Sequence, residues 1–289
     1  MHGIVLAGGN GTRLYPSTLA VSKQLLPVFN KPMIYYPIST LMLAGIQDIL
    51  LITKANDTSH FFNLLGDGSE LGISLNYAVQ AEPNGIPEAI TIGRHFLGKN
   101  EVFLALGDNV IFGTGLSNTL NIAKKKLVGS AIFTYDVKDP NRYGIAVENN
   151  SNEIVELMEK PQNPKSNLAI TGHYMLANDS IGRVNELKKS SRGETEIIDL
   201  LDQYLQNGTL THERFGRGFA WFDCGTHSSL LEASKFVETI EERQSNMIAC
   251  LEEIALTKGW LTTDSIGRIA STKYAKTDYG RYLNELIQK

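Results

Sequence analysis

The sequence predicts an α/β fold: a three-layer, mostly parallel, doubly wound sheet of Rossmann-like type, with a smaller substrate-covering region and a helical C-terminal tail. Two patterns support this prediction. In the first half of the chain, short apolar runs alternate with helical patterns, as they do where a parallel sheet is covered on both faces. The first run, Gly3–Leu6, leads directly into a glycine-rich turn, which is typical of the first strand of such a sheet.

The first half predicts strands that are joined by helices. The predicted strands are Gly3–Leu6, Asp48–Thr53, Leu75–Val79 and Glu101–Leu106. The predicted helices are Met33–Ala44, with Gly45 as its C-terminal cap, Ser59–Leu65, and Pro87–Phe96, in which Pro87 suits the first turn. Because ligands of such sheets bind at the carboxyl ends of the strands, the segments that follow these strands are expected to surround one crevice.

The pattern changes after Gly129, where closely spaced strands predict a continuation of the same sheet and a layer over the substrate. These elements are strands at Ala131–Tyr135, Gly144–Glu148, Ile154–Glu159 and Ala169–Leu176, a helix at Glu196–Gln206 and a strand at Leu210–Phe215. From Ser228 the chain is predicted to be mostly helical, since apolar residues recur at helical spacing. Three shorter helices are expected after this one, at Glu252–Lys258, Asp264–Ile269 and Tyr279–Gln288.

Charge and composition exclude several classes of function. A net charge of −4 and a pI near 5.9 argue against nucleic acid or an anionic membrane surface as a partner, and Lys124–Lys126 is interpreted as a solvated helix face. The sequence contains no apolar stretch that could span a bilayer and begins with a strand instead of a signal peptide, so we expect a cytoplasmic protein. Cys224 and Cys250 are expected to be free thiols, and no histidine pattern predicts a zinc site.

The glycine-rich turn after the first strand is the strongest functional signal. Glycines in Gly8–Arg13 let the backbone approach a polyphosphate and direct N–H groups at it, while Arg13 and Lys23 add positive charge. The turn matches neither the P-loop nor the dinucleotide fingerprint, whose third glycine is replaced by Leu14. A tight turn without a ligand is the alternative. Since no acidic residue occurs between positions 3 and 44, phosphate binding is the better interpretation.

Aspartates end two segments that are expected to face the crevice. Asp108 follows the fourth strand, and Asp223 follows the aromatic pair Trp221-Phe222 and precedes a Gly-Thr turn. Opposite a bound triphosphate, such carboxylates would form a magnesium site. The alternatives are a helix cap for Asp108 and a turn residue for Asp223, and we favour the metal site because both residues lie at strand ends.

Further polar residues suit a second phosphate, a sugar and a base. Pro161 would hold the preceding Glu159-Lys160 pair in extended geometry, with Lys160 for a phosphate and Glu159 for sugar hydroxyls. Arg192 is a further candidate for the same phosphate. Gln80, after the third strand, can present both a donor and an acceptor to a pyrimidine edge. The alternatives are an ordinary exposed ion pair and a polar residue that leaves a strand.

Together these residues resemble the sugar-nucleotide pyrophosphorylase family, and most closely its thymidylyl-transferring branch. The matching motifs follow one another in unbroken order along the chain, at Leu6–Leu14, Ser22–Pro27, Lys31–Pro37, Leu106–Asn109, Arg142–Gly144, Glu159–Pro161, Arg192–Glu194 and Asp223–His227. The sequence departs from the family in two places near the site. Gly85-Ile86-Pro87-Glu88-Ala89 stands where the family usually has Gly-Leu-Ala-Gln-Ala, and Cys224 replaces a usual threonine.

The resemblance implies a nucleotidyltransferase sheet and assigns site residues to it. Implied nucleotide contacts are Gly8, Gly11, Thr12, Arg13, Lys23, Gln24, Gln80, Gly85 and Asp108. Implied sugar-phosphate contacts are Asn109, Gly144, Glu159, Lys160, Ile170 and Arg192. Asp108 and Asp223 are the implied Mg²⁺ ligands, and the implied catalytic residues are these two with Arg13, Lys23 and Lys160. A separate regulatory site is implied at Gly113, Arg217 and Glu253, next to a Phe112–Gly115 segment that departs from the family.

The implied activity is the reaction of dTTP with α-D-glucose 1-phosphate to give dTDP-glucose and pyrophosphate. We expect residues 1–227 to form the catalytic domain, with a nucleotide half of about 1–129 and a sugar-phosphate half of about 130–227. Residues 228–289 are expected to form a helical region of the same unit that takes part in subunit contacts. The resemblance further implies a homotetramer that is inhibited by a dTDP-sugar.

Two alternatives to this activity stay open. A UTP-dependent uridylyltransferase is one, because Gln80 can pair with thymine and uracil alike. A non-catalytic nucleotide-sugar sensor on the same fold is the other, although a sensor would be expected to have lost Asp108, Asp223 or Lys160.

Overall fold

The computed structural model describes residues 1–190 and 192–288. Ser191, which precedes the Arg-Gly-Glu motif, and Lys289, which ends the expected helical region, lie outside the described residues. The strands are β1 (His2–Ala7), β2 (Pro27–Val28), β3 (Lys31–Pro32), β4 (Asp48–Thr53), β5 (Ser74–Val79), β6 (Val102–Leu106), β7 (Asn109–Gly113), β8 (Ser130–Asp136), β9 (Gly144–Glu148), β10 (Ile154–Glu159), β11 (Leu168–Leu176), β12 (Leu210–Phe215) and β13 (Phe219–Asp223). The helices are α1 (Tyr35–Leu43), α2 (Thr58–Leu65), α3 (Glu88–Ile92), α4 (Arg94–Leu97), α5 (Leu116–Lys126), α6 (Ser180–Val184), α7 (Ile197–Gln206), α8 (His227–Gln244), α9 (Leu251–Thr257), α10 (Thr263–Thr272) and α11 (Asp278–Leu286).

The main sheet is mixed, with its parallel strands together at the centre. β1 lies between β4 and β6, both parallel to it, and β5 continues the parallel part beyond β4. β11 runs antiparallel to β6 and joins the parallel part to the strands of the second half of the chain. β8 and β12 follow from β11 on its other edge, while β9 and β10 extend the sheet from the beginning of β11. The predicted continuation of one sheet through both halves is confirmed.

Apolar side chains from the sheet are buried under helices on both faces. Along β1 the fully buried Ile4 and Val5 point to opposite faces, as the pleat of a strand requires. Val5 belongs to a core that includes Leu41 of α1 and Leu251 of α9. Ile4 belongs to a second core that includes Ile90 of α3. The predicted three-layer architecture is therefore confirmed.

The strand pair β7–β13 is a feature that the sequence did not predict. The two strands are antiparallel, with Asp223 directly opposite Asn109 and Trp221 opposite Ile111. The pairing of β7 with β13 joins residues about a hundred positions apart, so no local pattern in either segment indicates it. The pair decides where Asp223 lies relative to Asp108, which precedes β7 by one residue.

One predicted helix is wrong in its extent. The segment Pro87–Phe96 forms two short helices, α3 and α4, that are separated at Gly93. A Cβ at Gly93 would lie 2.8 Å from Cδ1 of Ile4 in the central strand, so glycine lets this segment approach the sheet closely. Glycine also weakens a helix, which accounts for the break.

The C-terminal helices occur as predicted. The side chain of Thr226 accepts a hydrogen bond from the backbone N–H of Ser229, which caps α8. Leu251 and Ala255 of α9 lie in the same core as Val5 of the central strand. The division of the chain at residue 227 stays a prediction. Among the described residues, none of the helices has both the length and the apolar character that crossing a membrane requires.

Candidate active site

The glycine-rich loop follows β1 at the carboxyl end of the sheet, as predicted. Gly11 has a φ of 64°, in the left-handed region that favours glycine, and its carbonyl accepts a hydrogen bond from Thr18 Oγ1 at 2.8 Å. Gly9 faces Lys23: a Cβ at Gly9 would lie 3.9 Å from Lys23 Nζ. Thr12 and Arg13 continue the loop in a short 3₁₀ turn and are exposed. The loop and Lys23 therefore line one region of space.

Lys23 and Asp108 form a close ion pair. Lys23 Nζ lies 2.5 Å from Asp108 Oδ2, and Asn109 Nδ2 donates to Asp108 Oδ1 at 3.0 Å. Burial raises the pKa of Asp108, but the Lys23 charge and the hydrogen bonds from Lys23 and Asn109 together bring this pKa below its ordinary value. Asp108 is therefore an anion at neutral pH.

Asp223 is the second carboxylate of the crevice. Its Oδ2 accepts a hydrogen bond from Arg142 NH2 at 3.1 Å. Burial raises the pKa of Asp223, and the negative charge of Asp108 raises it further, against the opposing charges of Arg142 and Arg13. The strand pair β7–β13 has thus brought the two predicted metal ligands close enough to repel each other.

This pair of carboxylates fits a divalent metal. Within residues 1–190 and 192–288, no group of three or more His, Cys, Asp or Glu side chains is arranged to hold a metal ion. Mg²⁺ is commonly bound by one or two carboxylates, with phosphate oxygens and water as its other ligands. Asp108 and Asp223 supply the hard oxygen donors and the negative charge that such an ion requires. The donor set therefore suits Mg²⁺ beside a triphosphate.

Arg13 approaches the same carboxylates from the glycine-rich loop. A Cβ at Gly225 would lie 2.7 Å from Arg13 NH2, so the guanidinium packs over this glycine, two residues after Asp223. Its charge lowers the pKa of Asp223, as noted above. The structure thus brings together Arg13, Lys23 and both aspartates, as predicted.

The residues predicted to hold the base also lie together. Gln80 follows β5 and is 4% exposed, and a Cβ at Gly8 would lie only 2.2 Å from Gln80 Oε1. Gly85 has a φ of 110° and pairs with Thr195, whose carbonyl oxygen would lie 2.0 Å from a Cβ at Gly85. Glycine is therefore required at Gly85, where the close contact is with backbone, while a side chain at Gly8 would displace the amide of Gln80. Gln80 Nε2 donates to the carboxylate of Glu88 at 2.6 Å, a partner that sequence reasoning missed.

A cavity of about 170 Å³ joins this region to the predicted sugar-phosphate residues. Its lining includes Gly9, Gln80, Gly85, Glu159, Lys160 and Arg192. Glu159 Oε1 contacts both cations, Lys160 Nζ at 3.0 Å and Arg192 NH2 at 2.8 Å. Gly144 lies directly opposite Glu159 in the β9–β10 pair. The predicted sugar-phosphate cations and the glycine-rich loop therefore face a shared space.

Glu196 and Arg142 are residues of the site that were not predicted as such. Glu196 accepts hydrogen bonds from Ser190 Oγ at 2.6 Å and from Arg192 NH2 at 2.7 Å. Burial raises its pKa, but these hydrogen bonds and the charge of Arg192 bring the pKa below its ordinary value. Arg192 and Glu196 both precede α7 in non-helical backbone, so helical spacing gives no signal for this pair. Arg142 was part of a matching motif without an assigned role.

Three predicted contact residues have side chains that face the interior. Asn109 Oδ1 accepts from the backbone N–H of Gly172 at 3.0 Å and from Trp221 Nε1 at 2.6 Å. Gln24 is buried and accepts from Ser22 Oγ at 2.7 Å. Ile170 is buried in β11. Their predicted ligand contacts stay predictions, and in this structure their side chains pack in the protein interior.

The predicted regulatory residues do not all meet. Gly113 and Glu253 line a separate cavity of about 510 Å³ between β7, α5 and α9, together with apolar residues such as Ile254. Tyr282 OH donates to Glu253 Oε2 at 2.7 Å. Arg217 lies on the turn between β12 and β13, outside the lining of this cavity.

Residues 2–240 match the model of the family described as nucleotidyl transferase. The chain belongs to this family. It is 51% identical over 289 residues, 100% of both chains, to a glucose-1-phosphate thymidylyltransferase of Neisseria meningitidis serogroup A. A Mycobacterium tuberculosis protein of the same name is 46% identical, again over 100% of both chains. These identities group the chain with the glucose-1-phosphate thymidylyltransferases, and it is a nucleotidyltransferase enzyme.

Solved structures show the same fold. A Bacillus anthracis structure described as a glucose-1-phosphate thymidylyltransferase in complex with sucrose has a TM-score of 0.76 and 38% identity, covering 82% of this chain and 94% of that one. A UDP-glucose pyrophosphorylase complexed with UDP-glucose has a TM-score of 0.73 at 23% identity, covering 82% of this chain and 98% of that one. The second likeness concerns the fold alone. The predicted family and fold class are confirmed.

Proposed function

We propose that the enzyme converts dTTP and α-D-glucose 1-phosphate into dTDP-glucose and pyrophosphate, the first step of dTDP-sugar biosynthesis. The observation that carries this proposal is the meeting of Asp108 and Asp223 beside the glycine-rich loop. Gly9 of that loop lines the same cavity as Lys160 and Arg192. The names of the full-length relatives at 46–51% identity supply the substrates.

The proposed reaction is attack of a sugar-phosphate oxygen on the α-phosphorus of the nucleotide, in line with the leaving pyrophosphate. A phosphate oxygen is already an anion, so no side chain is required as a general base. The work of the protein is then to align two polyanions and to neutralise their charge. Lys160 and Arg192 suit the sugar phosphate, while Arg13 and Lys23 suit the triphosphate.

The charges involved make this a demanding task. Two like unit charges 4 Å apart repel each other by about 4 kcal/mol at an effective dielectric constant of 20, and several such pairs would meet here. Nucleotidyltransferases of this kind generally use a divalent metal, and we assign Mg²⁺ to Asp108 and Asp223. The bound ion would supply positive charge beside the reacting phosphates. The remaining positive charge comes from the side chains named above.

We further propose that the enzyme is a cytoplasmic homotetramer with a second site for a dTDP-sugar feedback ligand. The cavity lined by Gly113 and Glu253 supports the location of that site, since it is separate from the active site and large enough for a nucleotide portion. Arg217 would then have to reach the ligand from a neighbouring subunit. The buried free thiols Cys224 and Cys250 suit a reducing compartment.

A turnover assay with glucose 1-phosphate and each of dTTP, UTP, ATP and GTP tests the proposal. We expect pyrophosphate release with dTTP, slower release with UTP and none with the purine nucleotides. One methyl group in a pocket contributes only about 1–3 kcal/mol of discrimination, so UTP should still react. Purine nucleotides that react as fast as dTTP would contradict the assignment of substrate, and a preference for UTP would favour the uridylyltransferase alternative.

A further inference from the structure

The side-chain amide of Gln80 is held on one side by a carboxylate. Gln80 Nε2 donates to Glu88 Oε2 at 2.6 Å, and Glu88 is the first residue of α3. On the other side, Gln80 Oε1 lies directly over Gly8, where a Cβ would approach it to 2.2 Å. The two ends of the amide therefore have different surroundings: the nitrogen faces an anion, and the oxygen faces the glycine-rich loop.

A carboxylate can hold the amide in only this orientation. An ionised Glu88 accepts hydrogen bonds and donates none. If the amide of Gln80 rotated by about 180°, its oxygen would face the carboxylate oxygens of Glu88. The hydrogen bond between the two side chains would then be lost, and two acceptors would lie against each other. A glutamine at position 88 could donate as well as accept, so it would permit both orientations of Gln80. A carboxylate at position 88 therefore restricts the orientation of Gln80 in a way that an amide would not.

Glu88 is itself held in place by the loop before α3. Asn84 donates to its carboxylate twice, from Nδ2 to Oε1 at 3.0 Å and from the backbone N–H to Oε2 at 3.3 Å. The carbonyl oxygen of Asn84 accepts from the backbone N–H of Thr195 at 2.9 Å and from Thr195 Oγ1 at 3.0 Å. Lys189 Nζ donates to Asn84 Oδ1 at 3.2 Å. The carboxylate is thus fixed by contacts that do not depend on Gln80.

We propose that Glu88 is a positioning residue that fixes Gln80 Oε1 toward the base and so selects pyrimidines with an N–H group at ring position 3. This inference rests on the proposed function. Thymine and uracil carry a hydrogen at N3 and an acceptor at O4, which match Oε1 and the second Nε2 proton of Gln80. Cytosine carries an acceptor at N3 and a donor at N4, so it would need the opposite orientation. Glu88 thereby rejects cytosine without contacting the base.

The test compares wild type with Glu88→Gln, measuring kcat/KM for dTTP and dCTP with glucose 1-phosphate in excess. We expect the ratio of kcat/KM for dTTP to kcat/KM for dCTP to fall about tenfold in the variant, mainly because dCTP reacts faster. Glu82→Gln is the matched control: Glu82 is an exposed carboxylate in the same loop, and the ratio should not change. Glu88→Ala, which also releases the amide, should lower the ratio in the same way.

The outcomes separate this inference from the proposed function. A ratio that is unchanged in Glu88→Gln, or that stays constant while both kcat/KM values fall together, would show that Glu88 is only structural and would overturn the proposal. A wild-type enzyme that used neither dTTP nor UTP would overturn the proposed function and this inference with it. Melting curves for each variant verify that the compared enzymes are folded.

Discussion

Replacement of Asp223 by asparagine should lower turnover without lowering stability to the same degree, because the folded protein disfavours the ionised form of this carboxylate. Burial and the neighbouring charge of Asp108 both raise the pKa of Asp223, and its partner Arg142 is 40% exposed. An ion pair whose cation is this exposed contributes roughly 0–1 kcal/mol to stability. We therefore expect Asp223→Asn to lower the free energy of unfolding by no more than about 1 kcal/mol.

The effect on turnover should be large. Asparagine keeps the shape of the side chain but removes the negative charge that would hold the metal beside the phosphates. Loss of one preorganised electrostatic contact typically lowers kcat by about 10²–10³, or about 2.7–4 kcal/mol. Measurement of pyrophosphate release over a range of Mg²⁺ concentrations gives both kcat and the metal requirement.

Asp108→Asn supplies the contrast. Asp108 accepts a charged hydrogen bond from Lys23 at 2.5 Å, and the Lys23 side chain is only 13% exposed. Loss of this contact should lower the free energy of unfolding by about 1.5–3 kcal/mol in addition to the loss of turnover. Asp48→Asn, at the exposed beginning of β4 and far from the crevice, is the control for both measurements. An Asp223→Asn enzyme with more than about a tenth of wild-type kcat at saturating Mg²⁺ would refute the metal assignment.

Three further predictions concern the sugar phosphate, acid stability and regulation. Lys160→Ala should raise KM for glucose 1-phosphate about 10- to 100-fold with little change in KM for dTTP, since one charged hydrogen bond contributes about 1.5–3 kcal/mol. Lys165→Ala is the control, and an equal rise in KM for both substrates would contradict the assignment. The pKa of Glu196 is lowered in the folded state, so its stabilising effect is present at neutral pH and is lost as the pH falls through that lowered value. In urea titrations, the free energy of unfolding should therefore fall less between neutral and acidic pH for Glu196→Gln than for wild type. Light scattering should give the mass of four chains of 31.9 kDa, and Glu253→Gln should weaken inhibition by a dTDP-sugar without lowering kcat; a monomer insensitive to dTDP-sugars would exclude this regulation.

The parallel half of the fold could be predicted because its signals are local. Each of β1, β4, β5 and β6 is a short apolar run whose bounds lie within one residue of the predicted strand. The Gly8–Arg13 loop could be identified for the same reason, since backbone freedom and positive charge occur within six residues.

The parts that could not be predicted depend on contacts between distant segments. β13 was missed because its partner, β7, lies far away in the sequence, and a pairing between distant segments leaves no local pattern. The ion pair of Lys23 with Asp108 was not foreseen either, although each residue was assigned a role by itself. Glu88 was noted only as a departure from the family, because a side-chain hydrogen bond to Gln80 leaves no periodic pattern.

Several cations of the crevice are paired with a carboxylate in this structure, and this pairing has a consequence for substrate binding. Lys23 pairs with Asp108, Arg142 with Asp223, and Arg192 with Glu159. Long cationic side chains lose conformational freedom when they bind a phosphate, and here the carboxylates have already ordered them during folding. An incoming phosphate would therefore replace a carboxylate as the partner of a cation, and the metal would replace a cation as the partner of a carboxylate. For this reason a substitution of either member of a pair should alter the metal and the phosphate interactions together.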